Sequence, residues 1–188
     1  YRVHALTAQA SVDALADLAA RHAAPVAVIG DLALERHLRD ALRARGAVTV
    51  ARAGAAALAE VAQAPESDTV LAAIVGAAGL VPTLAAARAG KRLLLANKEA
   101  IVCAGSLLMA AIKAAGGELL PVDSEHNAIH QCLAGASAEQ RARARLVLTA
   151  SGGPFLKRSD LDAVTPDGET MRDFAVGVGR FHTATAIA

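Results

Sequence analysis

Short runs of β-branched and aliphatic residues alternate along this chain with longer stretches in which apolar positions recur every three or four residues. Residues 2–7 (RVHALT) read as a strand. Ser11 is the expected N-cap of a helix through SVDALADLAARH, with Val12, Leu15, Ala16 and Leu18 on one face. Residues 26–29 predict the next strand. Asp31 caps a helix that runs through Arg45 and stops at Gly46, the usual place for a glycine. The pattern continues with a strand at 48–50, a helix at 55–62, a buried strand at 70–75 and a helix at 81–89, with Pro82 in its first turn. Next come a strand at 93–95, a helix at 98–115, a Gly116-Gly117 break, a strand at 118–122, a helix at 124–133 and a strand at 146–149. Strand and helix alternating at this spacing imply a parallel sheet with right-handed crossovers. The expected class is α/β, a Rossmann-like doubly wound sheet.

Composition narrows this picture. The 188 residues make one ordinary domain or one and a half small ones. Hydrophobic residues are 54% of the chain but aromatic ones only 2%, with no Trp. Between Tyr1 and Phe155 the only rings are histidines and prolines, so the core must be built from Ala, Leu, Val and Ile. That excludes the stacking platforms of single-strand nucleic-acid binders. Net charge is +1, and the densest basic cluster, Arg141, Arg143 and Arg145, is broken by alanines. It reads as a solvated loop or strand edge, and no nucleic-acid partner is expected. Cys103 and Cys132 belong to no C-x-x-C motif and are expected as a reduced, buried pair in a cytoplasmic protein. Residues 70–87 run 18 positions without a charge, long enough for a membrane span. Gly76, Gly79 and Pro82 interrupt them, so a strand, a glycine turn and a helix are expected, with no membrane partner. Asp13 and Asp17 break any signal-peptide core near the start.

In open parallel sheets, ligands sit outside the carboxyl ends of the strands. This directs attention to residues 8–11, 30–31, 76–79, 97–99, 123–125 and 151–154. Asp123-Ser124-Glu125 follows a strand and opens a helix. Two carboxylates and a hydroxyl there suit a divalent cation with hard oxygen ligands; the same residues also make an ordinary helix start. His126 and His130 stand four apart beside Glu125, but Asn127 occupies the position where a zincin needs Glu. Lys98, between Asn97 and Glu99, sits at the positive end of a helix, where it gains nothing structurally and invites an anionic ligand. Ser151-Gly152-Gly153 offers backbone N–H groups and a hydroxyl to an anion, or a plain exit turn. No G-x-G-x-x-G precedes any helix; the nearest glycine motif is VGAAG at 75–79.

Three segments, AAIVGAAGLVPTLAAARAGKRLLLANKEAIV, LLPVDSEHNAIHQCL and LTASGGPF, resemble the 1-deoxy-D-xylulose 5-phosphate reductoisomerase family in order and spacing. The resemblance runs from the opening strand to about Asp167. It implies an enzyme that rearranges its sugar phosphate and reduces the product with NADPH to 2-C-methyl-D-erythritol 4-phosphate, an isoprenoid precursor, with Mg²⁺ or Mn²⁺ required. It also implies a homodimer for the full-length enzyme. By resemblance, Asp123 and Glu125 ligate the metal, and Glu125 belongs with Lys98, Ser124 and Ser151 in the catalytic, substrate-contacting set. Asn97 and Glu99 lie on the cofactor. Residues 1–120 would form the NADPH-binding Rossmann-like domain without its first strand. Residues 121–188 would begin an α+β catalytic domain.

The chain departs from the family's pattern in three places. The N-terminal glycine-rich loop is absent, so a truncated start is expected. Ala8-Gln9-Ala10-Ser11 offers no cation to a 2′-phosphate. From residue 168 the similarity collapses within a catalytic segment, which leaves the family's third metal carboxylate and its phosphate-binding Asn-Lys without counterparts. A frameshift or fragment end is the expected cause. The alternative is a non-catalytic nucleotide-binding or interaction domain that retains the fold.

Overall fold

The computed structural model describes residues 1–145. The expected strand at 146–149, Ser151 and the divergent tail lie outside the described residues. The elements alternate as expected: β1 (Ala5–Ala8), α1 (Val12–Arg21), β2 (Val26–Ile29), α2 (Glu35–Ala44), β3 (Val50–Ala53) and α3 (Gly54–Gln63). A second set follows, with β4 (Thr69–Ala72), α4 (Leu80–Arg88), β5 (Arg92–Leu95), α5 (Lys98–Ala115), β6 (Glu118–Pro121), α6 (Ser124–Cys132) and α7 (Ala138–Arg143). All ladders are parallel, in two three-stranded sheets of order β1-β2-β3 and β4-β5-β6. The outer edges of β1 and β4 have no ladder partner among the described residues.

Helices cover the sheets through small residues. Val12, Leu15, Ala16 and Ala19 of α1 pack with Leu38, Ala41 and Leu42 of α2 over Ala27 and Ile29. A second cluster joins Ala86 and Ala87 of α4 with Ile101, Leu108 and Ile112 of α5 over Leu93 and Leu95. Val28 of β2 meets Ala57 and Leu58 of α3, with Ile74 packed against them, so the two halves touch. The core is aliphatic, as the composition requires. Lys91, only 8% exposed, tucks its ammonium under α3 and donates to Ala64 O (2.7 Å) and Ser67 O (2.5 Å).

Several expectations need correction. Leu18 is 40% exposed and Ala19 takes its place in the core, because the buried stripe steps 12, 15, 16, 19. The helix expected from Asp31 begins as a 3₁₀ turn, Leu32–Leu34, with Asp31 accepting from Ala33 N (2.9 Å), and becomes α-helical only at Glu35. The third strand lies later than 48–50: register with β2 pairs Val26 with Val50 and Ile29 with Ala53, leaving Val48 outside and fully exposed. Arg141 and Arg143 sit on a short helix, α7, not in a loop or strand edge. Ser137 and Gln140 form its capping box. Both cysteines are exposed free thiols, because Cys103 faces away from the buried stripe of α5 and Cys132 ends α6. Among the described residues no helix is long and apolar enough to cross a membrane. The uncharged stretch resolves instead into β4, a 3₁₀ turn (Ala77–Gly79) and α4.

Candidate functional site

Three strand ends on the second sheet build the site. β4 leaves into a loop over residues 73–79. There Gly76 adopts φ +74° and ψ −165°, a conformation essentially restricted to glycine. Thr83 of α4 anchors the loop's far end, donating from its hydroxyl to Gly79 O at 2.6 Å. β5 leaves through Ala96 and Asn97, whose backbone N–H groups both donate to Ala72 O at 3.0 Å. Asn97 N-caps α5, accepting from Ala100 N at 2.9 Å, and is 3% exposed. Its amide nitrogen donates back to Gly76 O (3.0 Å) and to Ile74 O. β6 leaves through Val122 into Asp123, which N-caps α6 by accepting from His126 N at 3.0 Å.

Capping therefore places Lys98 and Glu99 in the first turn of α5, and Ser124 and Glu125 in the first turn of α6. Between the two helix starts lies a cavity of about 170 Å³. Leu95, Ile101, Leu119 and Ile129 supply apolar wall, while Lys98, Asp123 and Arg141 bring charges. The structure thus gathers two of the predicted residues, Lys98 and Asp123, on one cavity. It sets Asn97 apart, buried behind the loop. Glu99 and Ser124 do not line that cavity; Glu99 is half-buried and Ser124 exposed.

His126, whose spacing to His130 fails the zinc motif, stands against Asp123 instead. Its Nδ1 stands 2.7 Å from each oxygen of Asp123, and the two side chains are 12% and 15% exposed. The spacing, three after an N-cap aspartate, is the signal that could have found it. Arg141 also reaches the cavity, with Nε donating to Ala136 O at 3.1 Å. No sequence signal placed it there, because α7 returns to the site only through the fold.

Asp123 and Glu125 fit a hard divalent cation by donor chemistry. Asp123 is a carboxylate at a strand's carboxyl end, oriented by an imidazole as metal ligands commonly are. Among the described residues no group of three His, Cys, Asp or Glu converges, so these two would make only part of a coordination shell.

Comparison with known proteins gives the family. The sequence model described as 1-deoxy-D-xylulose 5-phosphate reductoisomerase matches residues 1–105, and that of the enzyme's C-terminal domain matches residues 119–172. A reductoisomerase of Burkholderia cenocepacia is 53% identical over 169 residues, covering 89% of this chain and 42% of the relative. The structure of the Zymomonas mobilis enzyme in complex with NADPH superposes with a TM-score of 0.82 at 42% identity, covering all of this chain and 51% of that one. A reductoisomerase in complex with NADPH, fosmidomycin and magnesium gives 0.81 at 37% identity, over 52% of its length. The chain spans about half the length of these relatives or less. With its opening strands, its two capped helix starts and over half of its length matched by one family's model, the chain belongs to the 1-deoxy-D-xylulose 5-phosphate reductoisomerase family.

Proposed function

We propose that the whole protein containing this chain isomerises and reduces 1-deoxy-D-xylulose 5-phosphate to 2-C-methyl-D-erythritol 4-phosphate, with NADPH and Mg²⁺ or Mn²⁺, in isoprenoid precursor synthesis. The observation that carries the reading is the shared cavity: Lys98 and Asp123, from the carboxyl ends of neighbouring strands, face one space. Asp123 and Glu125 hold the metal. When bound, the cation polarises the substrate's carbonyl and hydroxyl oxygens, and NADPH supplies the hydride.

The chain's own residues do the rest. His126 fixes the Asp123 carboxylate so that its geometry is set before substrate arrives. Lys98 adds a positive charge where negative charge develops on substrate oxygen. The wall of Leu95, Leu119 and Ile129 excludes water, which strengthens that charge's effect. Ser124 contacts substrate, Ser151 holds its phosphate, and Glu99 lies on the cofactor.

We also propose that residues 1–120 belong to the NADPH-binding unit and residues 121–188 begin the catalytic unit. A further strand would complete the sheet at the outer edges of β1 and β4, where Leu71 is 62% exposed. The whole protein is proposed as a cytoplasmic homodimer. The test is NADPH oxidation by the whole protein in the presence of 1-deoxy-D-xylulose 5-phosphate and Mn²⁺, with Lys98→Met alongside. Substrate-dependent oxidation, reduced by about a hundredfold or more in the variant, supports the reading. A folded protein that binds NADPH without turning over this substrate points to the non-catalytic alternative.

A further inference from the structure

The turn between β6 and α6, which carries the proposed metal ligands, is held from both ends. On the strand side, Val122 N donates to Leu95 O at 3.0 Å and fixes the exit of β6 against β5. On the helix side, Asp123 accepts from His126 N at 3.0 Å and its carboxylate meets the His126 ring. A further bond is required by neither capping nor sheet pairing. The side-chain amide of Asn127 donates from Nδ2 to Pro121 O at 2.8 Å, in part-buried surroundings. Pro121 is the last residue of β6 and Asn127 the fourth of α6, so the bond brackets Asp123, Ser124 and Glu125 completely. The backbone of Asn127 already serves the helix, with its N–H donating to Asp123 O at 3.0 Å. Its Oδ1 accepts from Gln131 Nε2. Asparagine is a poorer helix former than alanine, so propensity does not explain it at this position. The bond to Pro121 does.

We infer that Asn127 is a positioning residue for the proposed metal centre: its amide closes the β6–α6 turn on Pro121 and so sets where Asp123 presents its carboxylate. This rests on the proposed metal reading. Groups behind a metal ligand fix its orientation, and losing one lowers metal affinity by about 10- to 100-fold. Asn127 acts one step further back, through the backbone of the turn, so its effect belongs at the lower end of that range. Without the tie, the turn is held by the Asp123 cap and the Val122 bond, and a cation must order the rest of it on binding.

The test is Mn²⁺ binding by the whole protein, read by spin resonance of the free ion, in wild type, Asn127→Ala, Asn127→Leu and Gln131→Ala. Alanine and leucine are better helix formers than asparagine, so both Asn127 variants should keep the helical circular dichroism of the wild type. Their Mn²⁺ affinity should fall by about tenfold. Gln131→Ala removes only a bond along the helix surface and should stay within about twofold of wild type. Turnover of the Asn127 variants at saturating Mn²⁺ should recover to within about threefold of wild type, because the tie places a ligand and takes no part in the chemistry. Wild-type affinity in both Asn127 variants overturns the inference. An equal loss in Gln131→Ala overturns it too, because the effect would then come from the helix surface. Lost affinity together with lost helical signal also overturns it, because the bond would then hold α6 together instead of placing Asp123. Asp123→Asn in the same titration separates the inference from the reading beneath it. If that variant also binds Mn²⁺ like wild type, the metal reading fails and the inference with it. If it alone loses affinity, only the tie is refuted.

Discussion

Gly79→Ala is the substitution whose consequence follows most directly from the packing of the β4 exit loop. Its backbone, φ −74° and ψ −17°, suits any residue, so alanine gains stability from the unfolded state, about 0.4–1 kcal/mol. Against this, the new methyl has no room: Ile74 O lies 2.5 Å from it and Asn97 Nδ2 still nearer. Overpacking of this kind costs about 1–3 kcal/mol. Pushing the amide away also breaks bonds to two carbonyls, adding about 1–3 kcal/mol. The net destabilisation is about 1–5 kcal/mol, which for a chain of this size lowers Tm by roughly 2–20 °C. Thermal unfolding followed by circular dichroism measures it. A double-mutant cycle with Asn97→Ala locates the cause: the pair should be less destabilised than the sum, by about 1 kcal/mol or more, because the truncated side chain no longer collides with the methyl. A Gly79→Ala protein within about 0.5 kcal/mol of wild type, or additivity in the cycle, would refute the packing argument.

Other consequences are simpler to check. Lys91→Met should destabilise by about 2–4 kcal/mol in chemical denaturation, because it strands the Ala64 and Ser67 carbonyls that the ammonium joins. Leu93→Ala, at a site 0% exposed in β5, should cost about 2–5 kcal/mol in the same assay. Cys103 and Cys132 are exposed, so both thiols of the folded chain should react with a disulfide reagent without denaturant, giving two equivalents per chain.

The order and type of the elements were legible because the apolar period switches cleanly between strand and helix. Ala27, Val28 and Ile29 form a run buried at every position, and Val12, Leu15, Ala16 and Ala19 form a helical stripe. Boundaries failed where pairing overrode propensity: Val48 and Thr49 look like strand, but the partner offered by β2 begins at Val50. Thr49 instead donates its hydroxyl to Ala24 O at 2.8 Å. Helix α7 is legible in the capping pair Ser137 and Gln140, whereas the alternating arginines beyond it suggest only a solvated segment. The cysteines were misplaced because an apolar helical neighbourhood says nothing about which face a residue takes.

The site divides in the same way. Lys98 and Asp123 were readable because each follows a strand and opens a helix, which is a local pattern. The Asn97 tie was not, because its partners Ile74 and Gly76 lie 23 and 21 positions upstream and meet it only once β4 and β5 pair. His126 was set aside as a failed zinc motif, and its contact with Asp123 depends on a helix turn that spacing allows but does not require.

We propose that Asp123 carries a catalytic metal beside Lys98, a role that Mn²⁺ binding to the whole protein can decide. Asn caps helices as well as Asp does, so Asp123→Asn keeps α6 while removing the charge. Spin-resonance titration of free Mn²⁺ should show affinity lowered by about tenfold or more in the variant, with the helical circular dichroism of the wild type retained. Equal Mn²⁺ affinity in wild type and Asp123→Asn would rule out Asp123 as a metal ligand.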